Sequence, residues 1–166
     1  SEDSPVVNQI VNMIELWGFE TETIGINKFS EDPLQIPDDI KEKIEGADAA
    51  IAICTPRDYS LQEKAYKTLP WIHVEAALAF KSDKPLIFIT DERIKPEGLL
   101  EFSKFPKISY HPTKLEVLEH KLAIVMPGFR RWIADKKQQQ FWDGLVKAGL
   151  VFGGIWLVGK IMEDKE

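Results

Sequence analysis

Two short apolar runs decide what this chain can become. Ala49-Ala50-Ile51-Ala52-Ile53-Cys54 and Leu86-Ile87-Phe88-Ile89-Thr90 are unbroken rather than alternating, and are too short for typical helices. A strand with one face in water alternates apolar and polar residues. A strand covered on both faces, as in a parallel sheet, reads as a continuous apolar run. Thr55-Pro56 stops the first run and Pro85 precedes the second. Parallel neighbours need a long crossover, usually a helix. Pro70 to Phe80 supplies one, with Ile72, Glu75, Ala76, Ala79 and Phe80 at helical spacing.

The flanking sequence continues the alternation. Ser4-Pro5 reads as N-cap and N1 of a first helix, in which Val6, Val7, Ile10, Val11, Met13, Ile14 and Trp17 recur at helical spacing before Gly18 ends it. Phe19 to Ile26 is expected to be a short strand and Asn27 to Gln35 a loop. Pro37-Asp38-Asp39 opens a second helix with Ile40 and Ile44 on one face and Gly46 at its end. A polar loop is expected up to Leu69, a short irregular or helical piece from Pro96, and a weaker strand from Lys107 to Tyr110. Thr113 to Asp135 reads as a long helix with a stripe of Leu115, Leu118, Leu122 and Val125, kinked or split at Pro127. Such an order implies an α/β domain with a parallel sheet and helices on both faces. A domain of this kind normally opens on a strand. A first strand upstream of Ser1 is therefore expected, the alternative being a fold that starts with a helix.

The formal net charge is −6. Residues 128–166 hold seven basic and five acidic side chains, a surplus of two that leaves −8 for the rest. An acidic body argues against nucleic-acid binding, which needs a basic face. Cys54, the single cysteine, permits no internal disulfide and reads as a buried strand thiol in a reducing compartment. The polar, acidic start Ser1-Glu2-Asp3-Ser4 is unlike a secretory signal. The three histidines (His73, His111, His120) lack zinc spacing, and there is no glycine-rich nucleotide fingerprint.

Beyond the domain (residues 1–135), Gln138-Gln139-Gln140 marks a polar hinge, 136–140, before a mostly apolar helix at 141–162 and a polar tail at 163–166. Its uncharged core, Ala148 to Gly159, is twelve residues, short of the ~20 that cross a bilayer. Widening it to Leu145–Met162 gives eighteen, with Lys147 and Lys160 near the ends, where they can snorkel. Gly149 and Gly153 suit close helix packing in lipid. Arg130, Arg131, Lys136 and Lys137 precede the segment, which places the domain on the cytoplasmic side of a membrane tether. The competing reading is an amphipathic helix docked on protein.

The chemistry-bearing string is Pro70-Trp71-Ile72-His73-Val74-Glu75, followed by Lys84-Pro85-Leu86-Ile87. Upstream stand Ile36-Pro37-Asp38-Asp39-Ile40, the Gly46-Ala47-Asp48 lead into the first apolar run, and Thr55-Pro56-Arg57-Asp58. Taken in this order, residues 5 to 125 resemble the TIR-like (Toll/interleukin-1 receptor-like) family, in particular its nucleotide-binding subgroup. W-x-x-x-E alone is weak; the ordered set is more specific. The resemblance implies a flavodoxin-like sheet. In the family's enzymatic branch it implies cleavage of the nicotinamide N-glycosidic bond of NAD, as substrate rather than cofactor, with Glu75 as the carboxylate. Trp71, Thr55, Arg57 and Asp58 would then line the substrate site, with Phe29 stacking on a nucleobase. Each residue also has a plainer reading: Glu75 as a solvated helix glutamate, Trp71 as packing, Arg57 and Asp58 as a turn, Phe29 as tucked into the domain, and His73 as a surface residue. No metal is implied. The family's first strand helps to hold NAD, and here that strand is expected upstream of Ser1.

Two other functions compete. A nucleoside deoxyribosyltransferase-like enzyme also uses a helix glutamate, on a deoxyribose. A non-catalytic module would sense a nucleotide or act by self-association, which a membrane tether promotes.

Overall fold

The computed structural model describes residues 4–24, 38–68, 70–101 and 104–147, without the side chains of Ser4, Trp71, Trp142 and 144–147. The chain divides into two compact units, Ser1–Phe129 and Arg130–Glu166.

In the first unit, helix α1 (Ser4–Glu15) buries Ile10 and Ile14, one turn apart on the expected face. Its end is closed at Gly18, whose φ of 81° is the left-handed conformation that glycine adopts without a Cβ clash. The expected strand from Phe19 does not form over the described residues 19–24. Instead the segment is held through its side chains. Phe19 packs on Phe129 with ring centroids 6.1 Å apart, Glu22 pairs with Lys43, and Ile24 packs against α2 (Asp38–Gly46). The expected loop from Asn27 to Gln35 lies outside the described residues. In α2, Ile40 and Ile44 are buried as their spacing requires, and Asp38 and Asp39 sit at its positive N-terminus.

Three strands form the main sheet: β1 (Ala50–Cys54), β4 (Leu86–Asp91) and β5 (Lys107–Tyr110). All pairs are parallel, in the order β1-β4-β5, with Cys54 opposite Thr90 and Asp91 opposite Tyr110. The pleat sends Ala50, Ala52, Cys54, Leu86, Phe88 and Thr90 to one face and Ile51, Ile53, Ile87 and Ile89 to the other. On the first face lies the crossover helix α3 (Pro70–Lys81), joining Ile72 and Ala76 to the Cys54, Leu86 and Phe88 cluster. Small residues on both sides, Ala76 against Ala50 and Ala52, allow the helix to sit close. Ala79 joins α3 to Ile40 and Ile44 of α2. Beyond Lys81 the chain turns through Asp83 at φ 55°, with the Lys84 amide donating to the Ala79 carbonyl, a six-to-one closure of a helix end.

The expected polar loop before α3 is an antiparallel hairpin, β2 (Asp58–Ser60) and β3 (Ala65–Lys67). The piece after Pro96 is a single 3-10 turn, Gly98–Leu100.

Helix α4 runs unbroken from Leu115 to Lys147. Pro127 does not split it, and the described 136–140 stretch, expected as a polar hinge, is helical. Proline removes one backbone donor, but Pro127 and Ala123, four residues before it, are both exposed, where a freed carbonyl is open to solvent. The buried stripe of Leu118, Leu122, Met126 and Phe129 offsets the helix penalty of roughly 3 kcal/mol. Lys121 ties α4 to β5 by donating to the Ser109 carbonyl at 2.6 Å. Of the apolar segment expected at 141–162, only 141–147 is described, as the end of α4. No helix among the described residues is long and apolar enough to cross a membrane.

Candidate functional site

In a parallel sheet the strand ends that carry ligands are the carboxyl ends. Here they bring together Cys54-Thr55 from β1, Thr90-Asp91 from β4 and Tyr110 from β5. Thr55, Asp91 and Tyr110 are all buried. The hairpin begins directly above, because Arg57 donates its backbone N–H to the Lys67 carbonyl at 2.8 Å and so starts the β2–β3 ladder. Asp58 is the first residue of β2 and is exposed, while Arg57 is half-buried. Thr68 links β3 to α3 and is only 2 % exposed.

Helix α3 starts at this rim and runs back along the sheet. Glu75 lies five residues after Pro70, about 7.5 Å down the axis at the helical rise. Trp71 is one turn before it in the helix. Ile72 and Ala76 point at the sheet and Leu78 flanks α2, so Glu75 sits half-buried on the α2 side of the packing face. His73 is rotated by about 200° from Glu75. It faces the 3-10 turn, with its ring against Gly98 and its Nε2 4.0 Å from Glu97. The two residues therefore do not share a site. Phe29 lies outside the described residues, as does the Trp71 side chain.

The sequence reading missed a carboxylate. Asp91 is 1 % exposed, and Arg93 grips it with Nε on Oδ1 at 2.8 Å and Nη2 on Oδ2 at 2.7 Å, while the Arg93 amide donates to Oδ1 at 3.0 Å. The fork geometry is the strongest form of arginine–carboxylate bond. Asp91 raises the pKa of Arg93 above its ordinary value through that bond. Arg93 also lies over the Tyr66 ring, 5.7 Å from its centre. An acid placed directly after an apolar run was the available signal. With both oxygens occupied, Asp91 anchors the turn after β4 rather than offering a reactive carboxylate.

The second missed group is a polar trio. Burial pushes the Cys54 thiol up to about 11, and the neighbouring Thr90 and Thr68 hydroxyls pull it back in part. Neither hydroxyl has another hydrogen-bond partner. A thiol so held is protonated and inert at neutral pH. No group of three or more metal-ligating side chains assembles among the described residues. Of the ionisable groups singled out from the sequence, Glu75 is the half-buried carboxylate on the crossover helix.

No protein-family model matches the chain, and no curated protein or solved structure matches it.

Proposed function

We propose that the chain is a TIR-like NAD nucleosidase in which Glu75 stabilises the ribose as the nicotinamide bond breaks. The observation that carries the reading is the position of Glu75. It is half-buried on the crossover helix that begins at the carboxyl rim of β1, one turn after Trp71. The sequential parallel order β1-β4-β5 is compatible with one side of a flavodoxin-like sheet.

The chemistry asks little of the protein. Nicotinamide is cationic in NAD and leaves as a neutral base, so no general acid is needed. The ribose acquires oxocarbenium character, and a carboxylate held in a partly dry site stabilises that charge more than water does. Water then adds at the anomeric carbon and loses a proton, giving ADP-ribose. Thr55 and Arg57, at the end of β1, would meet the polar groups of the dinucleotide. Phe29 and Trp71 would provide aromatic faces, and exposed Asp58 would stand at the rim.

Chromatography of NAD incubated with the protein tests this reading against the transferase. Nicotinamide with ADP-ribose supports the nucleosidase. Exchange of bases between deoxynucleosides, with NAD left intact, would replace it.

A self-associating module is the second reading. Val117 and Ile124 favour it, being two turns apart on one face of α4 and exposed. Sedimentation that stays monomeric across concentration, with and without NAD, would remove it. A membrane tether at 141–162 is tested by flotation of the full chain with liposomes.

A further inference from the structure

The β2–β3 hairpin is attached to the body by partly exposed ion pairs. Glu63, in its turn, pairs with Lys95 at 3.0 Å, and Lys67, on β3, pairs with Glu97 at 3.3 Å. Lys67 also meets Glu63 at 3.3 Å, so the four charges form one latch. The backbone adds an isolated bridge between Tyr66 and Ile94: the Lys95 amide donates to the Tyr66 carbonyl at 2.9 Å, and the Tyr66 amide to the Arg93 carbonyl at 3.4 Å. The turn itself is strained, with Lys64 at φ 50°. Leu61, at its tip, is 84 % exposed and Tyr59 is 50 % exposed, so the outer half of the hairpin contributes little burial. Tyr66, partly buried, packs the hairpin on the cluster that holds Cys54.

Beneath lies the polar floor. Thr68 and Thr90 have buried hydroxyls with no partner other than the Cys54 thiol beside them, a weak one. Buried hydroxyls without partners are costly and uncommon in a resting fold. They gain partners when the cover lifts and water or a hydroxyl-bearing ligand enters.

We infer that the β2–β3 hairpin is an ionically latched lid over the carboxyl ends of β1 and β4, opening as a local unit to expose Thr68, Thr90 and Cys54. Exposed ion pairs are individually weak and are screened by salt. Opening therefore costs far less than global unfolding and grows easier with ionic strength. The NAD reading enters only as what the lid would admit; the opening itself is independent of turnover.

Cys54, the single cysteine of the chain, is a built-in reporter. The full chain is treated with a neutral pyridyl disulfide at pH 8, and release of the pyridine thiolate is followed, corrected for the effect of salt on a free thiol. The expected result is a slow reaction at low salt. It quickens by about 3- to 30-fold in half-molar salt, and to a similar degree in a Glu63→Gln, Glu97→Gln double variant. It barely responds to dilute denaturant, because a local opening exposes little surface. A rate indifferent to both salt and the double variant would overturn the lid. So would a rate that follows denaturant as steeply as global unfolding does, or no reaction at all.

Discussion

Strands β1 and β4 look alike in sequence and differ in burial. Both are continuous apolar runs, yet Leu86, Ile87, Phe88 and Ile89 are wholly buried, whereas Ala50 to Ile53 are half-buried and only Cys54 is closed off. Position in the sheet explains the contrast. Strand β4 is central, between β1 and β5, while β1 pairs only with β4 among the described residues. An apolar run records what a strand is suited to, covered on both faces and paired on both edges. It does not record how much of that cover a given set of elements provides. The less enclosed strand is the one that leads to Thr55, Arg57 and the crossover helix.

Truncation gives the largest expected effect. Phe88→Ala should cost roughly 3–5 kcal/mol, as for a fully buried aromatic, with an unchanged denaturant slope. Ile51→Ala should cost less than half of that. Equal losses in urea unfolding would mean that β1 is as enclosed as β4.

The carboxyl ends of the two strands give the next effects. Cys54 ionises near 9.0 in the unfolded chain but only at about 11 in the folded protein. Between those values the unfolded state binds fewer protons, so stability falls as pH rises from 9 to 11, by roughly 2–3 kcal/mol. Below pH 9 the contribution is fully present. Unfolding curves across that window should show the fall in the wild type and not in Cys54→Ala, once titration common to both is subtracted. On β4, Asp91→Asn removes a charged, doubly bonded partner and should cost about 2 kcal/mol. Because Arg93 is partly exposed and regains water, the loss should stay below that of Phe88→Ala. A larger loss would show that the pair organises more than its own turn.

The smallest effect on stability is expected at Glu75. Glu75→Gln keeps size and polarity, so the unfolding midpoint should shift by no more than about 0.5 kcal/mol. A large shift would make Glu75 structural and remove it as a candidate for chemistry.

Much of the sheet was legible, because its signals are local. The proline-bounded runs locate β1, α3 and β4, and Ile40 and Ile44 locate the face of α2. The hairpin was not legible. Its strands are three residues each, and its turn, Leu61-Gln62-Glu63-Lys64, holds no glycine, asparagine or proline. It is fixed instead by Tyr66 and by charges distant in sequence. Phe19 to Ile24 misled in the opposite sense: its threonines favour a strand, but the segment makes no ladder and is anchored at its ends. Gln138 to Gln140 read as a hinge because they are polar, although glutamine is a good helix former. Around the candidate site, helix α3 and the strand end at Thr55 were legible as elements of the fold. The Asp91–Arg93 pair and the threonine–thiol trio were not, because each depends on which strands become neighbours.

The most direct measurement is nicotinamide release from NAD by the wild type and by Glu75→Gln, at equal concentration and with folding matched by circular dichroism. Release by the wild type and its loss in the variant are expected, with both proteins equally stable. Release retained in Glu75→Gln, or none from folded wild type assembled on liposomes, would contradict the nucleosidase reading.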